Sequence, residues 1–251
     1  MRARRRRNLA SGEQAPNYNT IAKYLESADL TPLLQRLVTV SSLPLKAIEQ
    51  DFAVDSSGFS SRRYTRWHDT KHGDIPMERH DWKKLHIICG VTTNVVTSVE
   101  VTGGTDADYP AFADLVNETA KQGFTLRQVS ADKAYSGKFN VAYVALLGAV
   151  PLIPFKENAT GGDGPMTIWR RLFHFYSFQR DRFMRHYHKR SNVESTFHMI
   201  KAKFGEALRS KTDVAQFNEA LCKVLAHNIC CVIQSMHELG ITADFRQAQT
   251  A

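Results

Sequence analysis

The sequence predicts an α/β fold: a ribbon of mixed sheet flanked by helices, with a short helical segment in front. Three observations predict it. Apolar residues recur at helical spacing before residue 50, break into short runs through about residue 103, then alternate between helical stretches and single strands. The 251 residues are 43% hydrophobic, enough for one packed core with a small appendage. Beyond the basic start "MRARRRR", no repeat or low-complexity tract interrupts the pattern.

The elements follow in order. "TIAKYLESADL" carries Ile21, Tyr24 and Leu25 at helical spacing, and Thr31-Pro32 reads as N-cap and first-turn residue of a second helix. "DFAVDSSG" is a first strand whose apolar run ends at Asp55. "KKLHIICGV" and "VVTSVEVT" are two more strands, joined by a "TTN" turn. "TDADYPAFADLVNETAKQG" is a helix with Asp106 and Asp108 as caps, Pro110 early and Gly123 at its end. "LRQVSADKAYS" is a fourth strand ending in Asp132, "KFNVAYVALLG" a helix and "AVPLIPF" a fifth strand. After "KENATGGDGP" the chain reads as helical to near its end. Three strands, helix, strand, helix, strand, helix is also the element order of the ribonuclease-H-like fold.

The net charge of +8 comes from 33 Lys and Arg spread along the chain, which favours a nucleic-acid partner. The polar "NLASGEQAPNYNT" after the basic arm does not complete a signal peptide. The longest apolar run, "VAYVALLGAVPLIPF", is too short to span a bilayer and is broken by Gly148, Pro151 and Pro154. A cytoplasmic protein with no membrane partner is therefore expected. Cys89, Cys222, Cys230 and Cys231 form no disulfide framework, and Cys222, His227, Cys230 and Cys231 match no standard zinc spacing; they read as small core residues.

Two acidic residues stand out by position. Asp55 and Asp132 each close an apolar strand and precede turn-forming residues. A lone aspartate there is more often a turn former. In a ribonuclease-H-like sheet, however, the two strands are neighbours, and the last helix packs against that end. "YHKRSNVESTFHMIK" contains no Gly or Pro. As one helix it places Tyr187, Arg190, Glu194 and Lys201 at roughly 0°, −60°, −20° and −40°, a single stripe. The plain alternative is a solvated face of mixed charge. If Glu194 meets Asp55 and Asp132, three carboxylates need a cation. Hard Mg²⁺ or Mn²⁺ suits them, and two such ions can hold a phosphodiester between them. Asp51 precedes the apolar run and is set aside.

Along that helix Arg190 lies about 6 Å to one side of Glu194 and Lys201 about 10 Å to the other. That spacing brackets a metal site and would let both hold phosphates, rather than neutralise Glu194. Tyr187 extends the row, to bond a phosphate or stack on a base. Arg62 and Arg63, with Tyr64 and Trp67 in "SRRYTRWHDTKHG", and Lys156 in "PFKENA", suit DNA contact; an ordinary exposed hairpin is the alternative.

"FAVDSSGFS", "VSADKAYS" and "YHKRSNVESTFHMIKAKFG" together resemble the three acidic motifs of the DDE transposases of insertion sequences, of the IS4/IS5 type. The third matches the signature Y-x2-R-x3-E-x6-K at Tyr187, Arg190, Glu194 and Lys201. The resemblance spans roughly residues 50 to 235. It implies a ribonuclease-H-like catalytic domain with Asp55, Asp132 and Glu194 as the metal-binding triad. It further implies DNA cleavage at transposon ends, strand transfer into target DNA, a homodimer on DNA and a nucleoid-associated place in a prokaryotic cell. Residues 1–49 are expected to be a basic arm and short helical segment, the remnant of a DNA-binding region. Residues 50–240 are expected to form the catalytic domain, and 241–251 a tail. Two rivals stay open: a ribonuclease-H-like nuclease that only hydrolyses, and a truncated, non-autonomous remnant that binds DNA.

Overall fold

The computed structural model describes residues 17–61, 81–162 and 166–245. Its centre is a six-stranded sheet built from β1 (Asp51–Ser61), β2 (Asp81–Gly90), β3 (Val96–Gly103), β4 (Gln128–Ala131), β5 (Val150–Leu152) and β6 (Ala207–Leu208). The spatial order is β3-β2-β1-β4-β5, with β6 added beside the far end of β1. β1, β2 and β3 pair antiparallel, whereas β4 pairs parallel with β1 and β5 parallel with β4. An antiparallel ribbon leading into parallel strands in this order is the ribonuclease-H-like arrangement, as the sequence predicts.

Eight α-helices are described: α1 (Tyr18–Leu25), α2 (Leu30–Ser42), α3 (Ala111–Lys121), α4 (Lys138–Leu146), α5 (Ile168–Phe178), α6 (Arg180–Tyr187), α7 (Ser191–Phe204) and α8 (Asp213–Leu239). They cover both sheet faces, because the central strand alternates apolar side chains to each side. Phe52 and Val54 of β1 join Phe112 and Val116 of α3, Val141 and Val144 of α4, and Phe183 of α6. Ala53 and Phe59 join Leu34 and Val38 of α2, Val193 and Phe197 of α7, and Leu221 of α8. Burying such side chains contributes roughly 1.5–3 kcal/mol each. The segment before residue 50 thus supplies α2 to the same core as the sheet. Asn228 of α8 fastens it, donating to Val38 O and Ser41 Oγ and also to Val96 O of β3.

Several local expectations change. β1 does not end near Asp55. It runs on to Ser61 because β2 continues to pair with it, from Asp55↔Ile87 to Ser61↔Asp81. α2 starts at Leu30 after Asp29, so Thr31 is no cap; its hydroxyl donates to Asn218 of α8. α3 is preceded by Pro110 without a side-chain cap. Asp106 instead accepts from the Gly103 amide, and Asp108 pairs with Lys84 at 2.7 Å. The "TTN" turn is present; Asn94 takes φ 62°, and the buried Glu49 carboxylate accepts from the amides of Thr92 and Thr93. The stretch from Tyr187 to Lys201 is not one α-helix, since α6 ends at Tyr187 and residues 188–190 form a 3-10 turn before α7. The short β6 lies where helix was expected. The basic arm, with Arg62 and Arg63, lies outside the described residues. No helix among the described residues is long and apolar enough to cross a membrane.

Candidate active site

The parallel pairing of β1 with β4 ends at Val54↔Ala131. The next residues along the chain are Asp55, still in β1, and Asp132, just past the end of β4. The fold therefore brings the two aspartates side by side, although 77 positions separate them (132 − 55). Asp55 projects on the β1 face shared with Ala53, towards α7. Asp132 leaves β4 and caps the 3-10 turn Lys133–Tyr135, accepting from the Ala134 amide.

Glu194 lies in the first turn of α7, where the helix N-terminus favours a carboxylate. Its side chain is 60% exposed. Arg190 links it to the sheet: one guanidinium nitrogen, Nη2, donates to Asp55 Oδ2 at 2.7 Å, and the other, Nη1, donates to Glu194 Oε1 at 2.8 Å. Here the expectation from spacing fails. Arg190 does neutralise Glu194, because an arginine side chain easily spans the four-residue step that axial distance between backbones makes look long. Its Nε is buried without a partner.

The electrostatics follow from this packing. Burial pushes the Asp55 carboxyl up to about 6; Arg190 opposes the shift, while Asp132 and Glu194 add to it. Tyr187 is half-buried, its ring 6.0 Å from Phe183 in a stacked pair. Burial raises its hydroxyl pKa and Arg190 opposes that rise. The ring is committed to packing on this side, so the base-stacking role read from sequence is closed to the face that Phe183 covers.

Lys201 reaches β1 beyond the carboxylates. Its Nζ donates to Ser57 Oγ at 2.8 Å and sits over the Phe59 ring. Ser57 is two residues past Asp55 on the same strand face, so the Lys201 ammonium stands about 7 Å along the strand. Lys156 lies on the other side. With Asp132, Lys133, Ala134, Glu157 and Asn158 it lines a cavity of about 510 Å³. Behind the site, Asp51 opens β1. It accepts from Arg127 at two positions and from Lys189, each at 2.7 Å. This clamp ties the starts of β1 and β4 to the 3-10 turn that carries Arg190, and the Arg127 bond leads the causes that lower the Asp51 pKa.

Residues 46–229 match the model of the transposase DDE domain family. The chain belongs to this family. The DDE domain also gives a weak likeness to the crystal structure of a pre-cleavage Mos1 transpososome: 10% identity and a TM-score of 0.30, covering 91% of this chain and 68% of that one. The fold assignment rests on the sheet order and not on that likeness. A search of curated proteins returns no match.

DDE transposases generally use divalent metal ions. The acidic side chains proposed from sequence, Asp55, Asp132 and Glu194, fit one by chemistry: all three are hard oxygen donors, and Asp132 and Glu194 both add to the rise that burial imposes on the Asp55 pKa, so the three carboxylates feel one another. As placed, no three His, Cys, Asp or Glu side chains among the described residues stand close enough to hold an ion. Arg190 occupies the position between two of them. Sequence reasoning missed two further features of the domain. One is the Asp51 clamp, whose signal was an acidic residue next to an apolar run. The other is Asp108 behind the sheet, bonded by Ser56 Oγ at 2.7 Å and Lys84 at 2.7 Å; nothing local distinguished it from a helix cap.

Proposed function

We propose that this chain is an insertion-element transposase of the IS4/IS5 type that cuts DNA at transposon ends and joins them to target DNA. The observation that carries the reading is the register of Asp55 and Asp132, one step past Val54↔Ala131, with Glu194 tied to Asp55 through Arg190. Asp55, Asp132 and Glu194 would hold two Mg²⁺ or Mn²⁺ ions. Such ions supply charge neutralisation at the scissile phosphate and lower the pKa of a bound water.

The protein's own groups do the rest. Above about pH 6 Asp55 is a carboxylate and can accept. Arg190, released from the carboxylates, holds a phosphate oxygen with its forked donors. Lys201 holds another, about 7 Å away along β1. Lys156 guides the strand past Asp132 as a point charge. Tyr187, whose hydroxyl is near enough to Arg190 to interact with it, would help orient the guanidinium on that phosphate. A homodimer on DNA, bringing two ends together, belongs to the same reading.

The test is plasmid nicking in Mg²⁺ beside DNA binding in chelator. Asp55→Asn, Asp132→Asn and Glu194→Gln should each bind DNA as wild type does and lose nicking by at least about a hundredfold. Undiminished nicking by any of the three, or by wild type in excess chelator, overturns the assignment.

A further inference from the structure

Helices α5 and α6 meet in a bend at Gln179 whose outer surface the reading above does not use. Between residues 168 and 187 there are five Arg and a single acidic residue, Asp181. Arg171, Arg180, Arg182 and Arg185 are exposed. At the bend between the helices Phe178 is 79% exposed, although it is a large apolar side chain. One face of its ring stacks on His174, with centroids 5.5 Å apart and planes within 13°. Beside it Arg180 covers the Tyr176 ring at 4.6 Å. Met166, Arg171, His174, Phe175, Phe178 and Gln179 line an open cavity of about 510 Å³.

A stacked aromatic pair with a free outer face, set among arginines, matches the chemistry of an unpaired nucleobase flanked by two phosphates. Every base has a π-face, and the flanking charges need no base identity. A lone exposed apolar side chain needs no explanation. Here the ring is held in a stack, and nearly all the charge around it has one sign. A protein partner of ordinary composition would meet that charge poorly, whereas a nucleic-acid strand matches it throughout.

We propose that the α5–α6 bend is a single-strand DNA contact, with Phe178 stacking on an unpaired base and Arg171, Arg180 and Arg182 holding the phosphates beside it. This rests on the transposase reading for the identity of the nucleic acid. The spacing gives it a place on the substrate. Along α6 and the 3-10 turn, about 16 Å of chain axis separates Arg180 from Arg190 at the carboxylates. The stacked base would therefore lie a few nucleotides from the scissile phosphate.

The experiment measures binding in chelator, so it does not depend on cleavage. The probe is a DNA duplex with a ten-nucleotide thymidine overhang carrying one 2-aminopurine, moved along the overhang in successive probes. Wild type should quench the 2-aminopurine at one position. Phe178→Ala should abolish that quench and weaken binding about five- to hundredfold. Phe178→Trp should restore both. Arg180→Gln should make the slope of log affinity against log salt shallower by about 0.7. Because Phe178 is exposed, the alanine variant should melt at the wild-type temperature, which separates lost contact from lost fold. No quench by wild type at any position, or equal quench by Phe178→Ala, overturns the proposal. So does an alanine variant that binds DNA normally but shifts from dimer to monomer on sizing, since the bend is then a contact between protein copies. Failure of the plasmid-nicking test with this quench intact would instead overturn the transposase reading and leave the strand contact standing.

Discussion

Arg190 bonds Asp55 at 2.7 Å with Nη2, while its Nη1 holds Glu194 at 2.8 Å. A guanidinium and a divalent cation would draw on the same carboxylate oxygens. On the proposed reading the site would have two states: Arg190 on the carboxylates, or Arg190 on a phosphate with metal in its place.

Removing Arg190 should therefore separate metal binding from catalysis. Arg190→Gln should bind Mn²⁺ at least as tightly as wild type, by calorimetry at pH 8, and cleave DNA about a hundredfold more slowly. Working at pH 8 keeps Asp55 ionised without its partner. Weaker Mn²⁺ binding by the variant would mean that Arg190 supports the metal site and does not compete for it.

Asp55 sets a pH dependence. Its pKa is raised to about 6 from an ordinary 3.8 by burial. A raised carboxyl pKa means that the folded protein holds the proton more tightly than the unfolded chain. The associated stability is full below about 3.8 and is lost as pH rises through about 6. Thermal melts of the metal-free protein should thus show Asp55→Asn gaining on wild type between pH 4 and pH 6, with no further gain above. Metal binding runs the other way: affinity should fall about tenfold per pH unit below pH 6, because one proton competes for one ligand. A flat Mn²⁺ affinity from pH 5 to pH 7 would contradict this.

The Asp51 clamp should act on stability first. Asp51→Ala leaves Arg127 and Lys189 without their acceptor, but both are largely exposed and water replaces it. The cost should be about 1–2 kcal/mol, less than for stranding a buried charge. In a domain of this size that lowers the melting temperature by roughly 2–8 °C. Denaturant titration with an unchanged midpoint would show that the clamp contributes nothing.

Lys201 offers a milder contrast. Lys201→Ala should slow cleavage with Mn²⁺ affinity unchanged, and Lys201→Arg should recover part of the rate, since charge is kept while the donor geometry changes. Full activity in Lys201→Ala would leave the lysine only its contacts with Ser57 and Phe59.

Much of this fold was legible because strands and helices carry different apolar periods. The five longer strands and their order follow from "DFAV", "LHIICG", "VVTSVEV", "QVSA" and "VPLI", each bounded by turn residues. What was not legible depends on pairing partners. β1 continues past Asp55 only because β2 is there to pair with Ser56–Ser61, and β6 exists only because β1 offers it an edge. The neighbouring of Asp55 and Asp132 could be read from the fold type. Arg190 lying on the carboxylates could not, because spacing along a helix fixes where a backbone sits and not where a long side chain reaches. Asp51 and Asp108 were hidden for a related reason: their partners, Arg127, Lys189, Lys84 and Ser56, come from distant parts of the chain.

The most direct test of the account is to soak or grow crystals with Mn²⁺ at pH 8 and locate the ion by anomalous diffraction. The account predicts Mn²⁺ bound by both Asp55 and Asp132 at about 2.0–2.2 Å, with Arg190 turned away from Asp55. Mn²⁺ bound elsewhere, or Arg190 still bridging Asp55 and Glu194 in crystals saturated with the ion, would contradict it.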